Sequence, residues 1–388
     1  MTRICMIAYT HYSRDPRVRR EAEALAGRGD TVDFICEREP DKPQRQTCSG
    51  VNLHAISVGR YQGGSTLTYI YRYACFFAKS FFLVSYLFFK NRYDVVQVHT
   101  MPDFLVFAAL VPKVFGAKVV LDVHDLMPEL YICKFKVRPE HPNIRLITWV
   151  ERMSIAFAHR AIAVHEPHLK ALLSHGNPAA KFEILLNVPD PAIFQTRKTG
   201  RADERFRLVY HGTIAPRHGL EVALRAVHAV KARIPQLELL IIGAGEDLER
   251  LKKLAGELDI KENVRFVPPM PVEDLPRHLH QADVGIVPIL YDEFTRYMLP
   301  LKLLEYVGLG IPVISSRTET IEAYFGEGMI HFCQPGDVDD LAGAILLLHQ
   351  YPEKRRRLVE SSATFAVTHN WADQKVVYFR LIDSLLKS

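Results

Sequence analysis

The chain has 388 residues, 48% hydrophobic and 24% charged, with a formal net charge of +5. These are the proportions of a soluble globular protein, and the length favours two domains over a single core. Residues 1–190 hold 24 Lys/Arg against 18 Asp/Glu and the remainder 25 against 26, a mild basic bias that suits an anionic partner or membrane surface and excludes a nucleic-acid stripe.

Met1-Thr-Arg-Ile-Cys-Met-Ile leads directly into a strand over Arg3–Tyr9, so no signal peptide is expected. A helix over Asp15–Ala26 stops at Gly27 and Gly29, and strands follow at Thr31–Cys36 and Val51–Ile56. Leu67–Lys90 reads as a long aromatic helix. Arg72 and Lys79 interrupt it, leaving too few uncharged residues for the roughly 20 of a membrane span. The favoured reading is a helix buried on one side of the first sheet. The alternative is a helix partly resting on a membrane, with Lys79, Lys90 and Arg92 near lipid phosphates. Next come strand Val95–His99, helix Phe104–Phe115, strand Lys118–His124, helix Asn143–Ala158, strand Ala161–His165, helix Leu169–His175 and strand Phe182–Leu186.

The polar run Ala192–Arg205 has no apolar periodicity and reads as a linker. The alternation then restarts with strand Arg207–His211 and helix Leu220–Ala232. It continues through Leu237–Ile242, Glu246–Leu258, Val264–Val267, Val272–Gln281, Asp283–Pro288, a helix opened by Pro300, strand Pro312–Ser315, a helix from Glu319, Met329–Cys333 and Val338–Gln350. An amphipathic tail, Trp371–Leu386, closes the chain. Short apolar runs alternating with helices predict an α/β protein with two doubly wound parallel sheets. The expected division is 1–190, a linker at 191–205, 206–365, and a final helix within 366–388 that crosses back to the first domain. Ligands of such sheets bind beyond the carboxyl ends of the strands, here in a cleft between the two domains. The six cysteines are scattered with no C-x-x-C spacing, so reduced thiols in a cytoplasmic protein, and no zinc site, are expected.

The most informative stretch is Arg296–Ser316. Pro300 suits a first helical position, Lys302 falls in the first turn, and Glu305 lies three residues on, on the same face. Unpaired N–H groups at a helix start, with a lysine beside them, suit a diphosphate. A carboxylate one turn deeper can accept hydrogen bonds from two ribose hydroxyls. At the other strand ends, His124 follows Asp122 and precedes Asp125, which is expected to orient its ring. His99 closes an earlier strand. Gly212 and Arg217 link a strand to a helix, with the guanidinium placed to grip phosphate. Gly243 and Gly245 form a lone G-x-G, which signals close backbone approach but not by itself a dinucleotide site.

Together these residues resemble the retaining glycosyltransferases of family 4, group 1 type, with the two-domain GT-B fold. The likeness runs over nearly the whole chain. It is carried by Asp15-Pro-Arg-Val, Tyr93–His99, Asp122-Val-His-Asp125, Gly212-Thr213 with Arg217-His-Gly219, and above all Pro300-x-Lys302-Leu-Leu-Glu305-Tyr with Gly310-Ile-Pro312-Val-Ile. The resemblance implies catalytic roles for His124, Arg217, Lys302 and Glu305. It implies a nucleotide-sugar site at Gly212, Thr213, Arg217, Gly243, Gly245, Lys302, Leu303 and Glu305, and an acceptor or donor-sugar side at His11, Asp15, Arg17, His99 and Asp125. It also implies a nucleoside-diphosphate-sugar donor. The basic first half and segment 67–90 favour a glycan or lipid-linked acceptor at the cytoplasmic face of a membrane, and with no clear carboxylate cluster no cofactor or metal is expected. Two positions depart from the pattern. Tyr297 replaces a first glutamate, and His218 replaces the usual lysine before the loop glycine. Two other classes stay open at this point: a non-hydrolysing sugar-nucleotide epimerase and a non-catalytic sugar-nucleotide binder.

Overall fold

The computed structural model describes residues 1–40, 42–58, 66–195 and 204–387. The chain forms two compact units, one of Met1–Asn187 with Gln374–Ser388, the other of Val188–Asp373.

The first unit is built on eight strands: β1 (Arg3–Ile7), β2 (Thr31–Glu37), β3 (Arg45–Cys48), β4 (Val51–Ile56), β5 (Val95–His99), β6 (Lys118–Val123), β7 (Arg160–Ala163) and β8 (Phe182–Ile184). Their order is β3-β4-β2-β1-β5-β6-β7-β8, parallel apart from the antiparallel β3–β4 pair. The near-continuous apolar runs Ile4–Ile7, Val95–Val98 and Val119–Val123 are what a sheet covered on both faces requires. The chain order reverses between β1 and β5, so residues just past β1, β5 and β6 share one crevice.

The second unit carries β9 (Phe206–Thr213), β10 (Leu237–Ala244), β11 (Val264–Val267), β12 (Val284–Val287), β13 (Val313–Ser316) and β14 (His331–Cys333). All are parallel, in the order β11-β10-β9-β12-β13-β14. Its core packs the helix Leu220–Val230 over Leu208, Tyr210, Leu239 and Ile241. Here the reversal lies between β9 and β12.

Several elements differ from expectation. The second unit starts at Val188, where Val188 and Phe194 are already buried, not after a linker ending at 205. Much of the expected linker, residues 196–203, lies outside the described residues. The helix expected at Phe104–Phe115 is a 3-10 segment, Asp103–Ala109, followed by a short α-turn, Leu110–Val114. Helices Met127–Phe135 and Pro352–Thr368 are additional, each opened by a proline in its first turn. The final helix is Trp371–Leu386, assigned to the first unit from Gln374 onward. There Tyr378 is fully buried and its hydroxyl donates to Gln97 Oε1 at 2.6 Å.

The long aromatic helix spans Thr66–Asn91. Contrary to the sequence expectation, Tyr71–Asn91 is long and apolar enough to cross a membrane by length and composition. One of its faces nevertheless belongs to the protein core, since Phe76, Ser80, Val84, Leu87 and Phe88 are buried. The opposite face is exposed.

Candidate active site

In the second unit the site forms where β9 ends. Pro300 caps the helix Leu301–Gly308 rather than entering it. Lys302 and Glu305 both turn toward β9. Glu305 Oε2 lies 2.5 Å from His211 Nε2. The other face of that imidazole is held by Tyr306, whose hydroxyl lies 3.0 Å from Nδ1 and also accepts from the His211 backbone N–H. Tyr306 in turn donates to the Val209 carbonyl. Its ring fits over β12 because Gly285 has no side chain: a Cβ there would meet the ring at 2.4 Å. The helix is thus pinned to two strands through one tyrosine. One Glu305 oxygen is engaged, and the other makes no hydrogen bond or ion pair among the described residues.

Lys302 is buried, its ammonium 4.8 Å from the centre of the Tyr210 ring and beside Gly212, where a Cβ would lie 3.7 Å from Nζ. Arg217 sits in the 3-10 turn Pro216–His218, its guanidinium 5.9 Å from the Phe294 ring and its Nε buried without a partner. Neither cation makes an ion pair among the described residues. Burial and the Arg217 charge push the Lys302 ammonium down to about 8, with Glu305 opposing. His218 is pushed down to about 2 by burial and by both cations, so it stays neutral and cannot supply the positive charge of the lysine it replaces. Lys302 feels the Glu305 carboxylate and the Arg217 charge but makes no ion pair, and a bound polyanion would add the favourable charge that burial withholds.

The remaining expected residues divide. Gly212 (φ +110°) and Thr213 are exposed beside Lys302. Gly219 (φ +68°) must be glycine, because a Cβ would overlap the Pro288 carbonyl oxygen at 1.7 Å. Gly243 and Gly245 have a local reason of the same kind: their Cβ atoms would lie 1.9 and 2.0 Å from the carbonyl oxygens of Gly212 and Ile214. They let the 212–214 loop lie close, and Gly245 is exposed beside it. Leu303 is fully buried and its N–H donates to the Pro300 carbonyl, so its contribution is packing.

In the first unit, Arg17, His99, Asp122 and His124 meet at the switch point. Asp122 holds His124: its Oδ2 lies 3.1 Å from His124 Nε2 and 3.0 Å from His99 Nδ1. Arg17 forms a buried ion pair with Asp122. Burial alone would raise the Asp122 carboxyl. Arg17 and the two histidines outweigh it and hold the group well below the usual range. Burial and Arg17 keep His124 below its ordinary value, so its resting form is a neutral imidazole. Glu21 receives Gln97 Nε2 at 2.8 Å, and burial with the Asp122 charge pushes it up to about 7. The ligand atoms of His99, Asp122 and His124 lie within 4.8 Å of one another, a spacing that can hold a metal ion. A cation there would have to share Asp122 with the Arg17 guanidinium, which disfavours it. His11, behind β1, is buried, and Asp15 precedes the helix Pro16–Gly27. Sequence reading missed Asp122, His211 and Tyr306 as site residues.

Two doubly wound α/β units, one with a buried lysine and a half-buried arginine at its switch point, are the architecture of the GT-B class of sugar-transferring folds. The second unit matches the family model for group 1 glycosyl transferases over residues 193–365, and the first matches a glycosyl transferase 4-like domain over 15–187. Together the two models cover most of the chain, which belongs to the group 1 glycosyltransferases of family 4. It is 27% identical over 181 residues to the amylovoran biosynthesis glycosyltransferase AmsK of Erwinia amylovora, covering 46% of this chain and 44% of that one. It is 30% identical over 154 residues to a GDP-mannose-dependent alpha-(1-6)-phosphatidylinositol monomannoside mannosyltransferase of Mycolicibacterium smegmatis, covering 38% and 39%. The matched region thus spans less than half the length of these two relatives. Among solved structures, sucrose-phosphate synthase from Thermosynechococcus elongatus has a TM-score of 0.80 at 19% identity, covering both chains entirely. Anabaena HepE in complex with UDP-glucose has a TM-score of 0.75 at 14% identity, covering 98% of this chain and 99% of that one. These likenesses show the fold.

Proposed function

We propose that the chain moves a hexosyl group from a nucleoside-diphosphate sugar to a glycan or lipid-linked acceptor, with retention of anomeric configuration. The observation that carries this reading is the buried Lys302 ammonium, within reach of the Arg217 charge, at the mouth of a helix and without an ion pair among the described residues. In the reaction the bond from the anomeric carbon to the diphosphate oxygen breaks, its electron pair leaves with the diphosphate, and the acceptor oxygen forms the new bond on the same face as its proton passes to the departing diphosphate oxygen. The growing charge on the leaving group is what Lys302, Arg217 and the N-termini of helices Leu301–Gly308 and Leu220–Val230 are placed to stabilise. The unengaged oxygen of Glu305 would take a ribose hydroxyl, and the neutral His124 imidazole a hydroxyl of the transferred sugar. No step calls for a metal.

AmsK is named for amylovoran biosynthesis, the mycobacterial relative for a phosphatidylinositol mannoside, and HepE holds UDP-glucose. They support a place in polysaccharide or glycolipid synthesis. The test is nucleotide release from a panel of UDP-, GDP- and ADP-hexoses with isolated glycolipid fractions, followed by NMR of the product linkage. One donor should yield nucleotide and a product of unchanged anomeric configuration. Release from none, or return of an epimerised sugar nucleotide, would refute the proposal.

A further inference from the structure

The exposed face of the aromatic helix has no role in the chemistry above. Phe82 is 71% exposed, Tyr86 60% and Phe89 53%. Their spacing, i, i+4 and i+7, sets them in one stripe along the helix. The stripe continues onto the next element: the Phe89 and Phe115 rings meet edge to face at 5.3 Å, with Phe115 58% and Val114 71% exposed. Scattered apolar residues are ordinary on a surface, but a contiguous patch of large aromatics marks an interaction site.

The charges around the stripe are of one sign. Residues 66–93 contain Arg72, Lys79, Lys90 and Arg92 and no Asp or Glu. Arg92 stands over the Phe88 and Phe89 rings, 5.8 Å from each centroid, at the C-terminal end of the stripe. Lys90 is exposed next to it, and Lys79 is exposed one turn before Phe82. Aromatic rings flanked by cations suit the boundary between lipid headgroups and acyl chains, where rings enter and ammonium and guanidinium groups meet phosphate. The buried opposite face, with Phe76, Val84 and Leu87, is committed to the core, so the helix can lie on a bilayer but not cross it.

We infer that this face, Phe82, Tyr86 and Phe89 with Val114 and Phe115, docks the protein on an anionic lipid bilayer. The surface stands independently of the donor site. Charge decides among occupants: a second copy would bring the same cations against these, whereas a surface of anionic headgroups neutralises them.

The test is co-sedimentation of the full chain with phosphatidylcholine vesicles, with and without one third phosphatidylglycerol. Binding should require the anionic lipid, weaken in high salt, and fall at least about tenfold in the F82S/Y86S/F89S variant. Hydrogen exchange on the wild-type protein should show residues 78–92 protected when anionic vesicles are added, a readout that needs no variant. No vesicle binding, equal binding by the variant, no protection, or a wild-type dimer that the variant abolishes would overturn the inference. Nucleotide release in vesicle-free buffer should be the same for both proteins, so loss of membrane binding is separable from any failure of the transferase reading.

Discussion

His211 Nε2 lies 2.5 Å from Glu305 Oε2, so the last buried side chain of β9 fixes the carboxylate of the helix that follows β12. Removing the imidazole leaves Glu305 buried and unanchored. A hydrogen bond to a charged group is worth about 1.5–3 kcal/mol, or roughly 10–100-fold in an equilibrium constant. H211F should therefore raise KM for the donor by about that factor, with a smaller effect on kcat. Glutamine at 211 can still donate and should recover part of the loss. Steady-state kinetics with varied donor checks this, and an unchanged KM in H211F would remove Glu305 from nucleotide binding.

Lys302 should set an upper pH limit on activity. With its ammonium pushed down to about 8, chiefly by burial and then by Arg217, the unliganded protein loses the cation as pH rises through that value. The kcat/KM for donor should fall about tenfold per pH unit beyond it, because that ratio reports the free enzyme. Arginine at 302 stays charged, so K302R should lack this limb whatever its absolute rate. A flat profile through pH 10 in the wild type would contradict the assignment.

In the first unit, His175 bridges two helices, with Nε2 3.0 Å from Glu129 and Nδ1 2.9 Å from Glu151. Burial opposes its charge, but the two carboxylates prevail and raise it to about 10. A raised folded-state value means the stabilisation is complete below the unfolded value of about 6.5 and disappears as pH climbs through 10. The Tm difference between wild type and H175Q should accordingly be largest at pH 6 and shrink toward pH 10, about 2–4 °C for each kcal/mol lost. A gap that widens with pH would reverse the sign of the argument.

Gly219 and Gly243 test the backbone account of the loop. A Cβ at either would come within 1.7 or 1.9 Å of a carbonyl oxygen. Because the obstacle is backbone, neither site can yield by a rotamer change. G219A and G243A should each destabilise the second unit by more than about 3 kcal/mol in urea titration. G212A would meet only the Lys302 chain, at an ordinary contact of 3.5 Å, and should instead lower donor affinity through its φ of +110°.

The sequence disclosed the sheets because a strand covered on both faces needs an unbroken apolar run, as in Leu239–Ile242 and Val284–Val287. It concealed β3, a polar edge strand reading Arg-Gln-Thr-Cys. It concealed the Pro352–Thr368 helix too, whose five-residue run Glu353–Arg357 and three buried positions give a weak stripe. In the site, Lys302 and Glu305 were readable as a pair because three residues on a helix return to the same side. The Asp122 partner of His124 was less legible, since His124 lies just past the end of β6 and their contact depends on how the chain turns there. His211 and Tyr306 were not, since their roles depend on a β9–helix approach that exists only because Gly285 leaves room for a ring.

The claim on which the rest depends is that Lys302 and Arg217 together grip a diphosphate. Calorimetric titration of UDP, GDP and ADP into the wild-type protein and K302M measures it most directly, with circular dichroism confirming that both are folded. One nucleoside diphosphate should bind the wild type, and K302M should lose about 100-fold in affinity, as expected for a desolvated charge-assisted contact. Equal affinity in the two proteins, or no binding of any diphosphate by the wild type, would contradict the account.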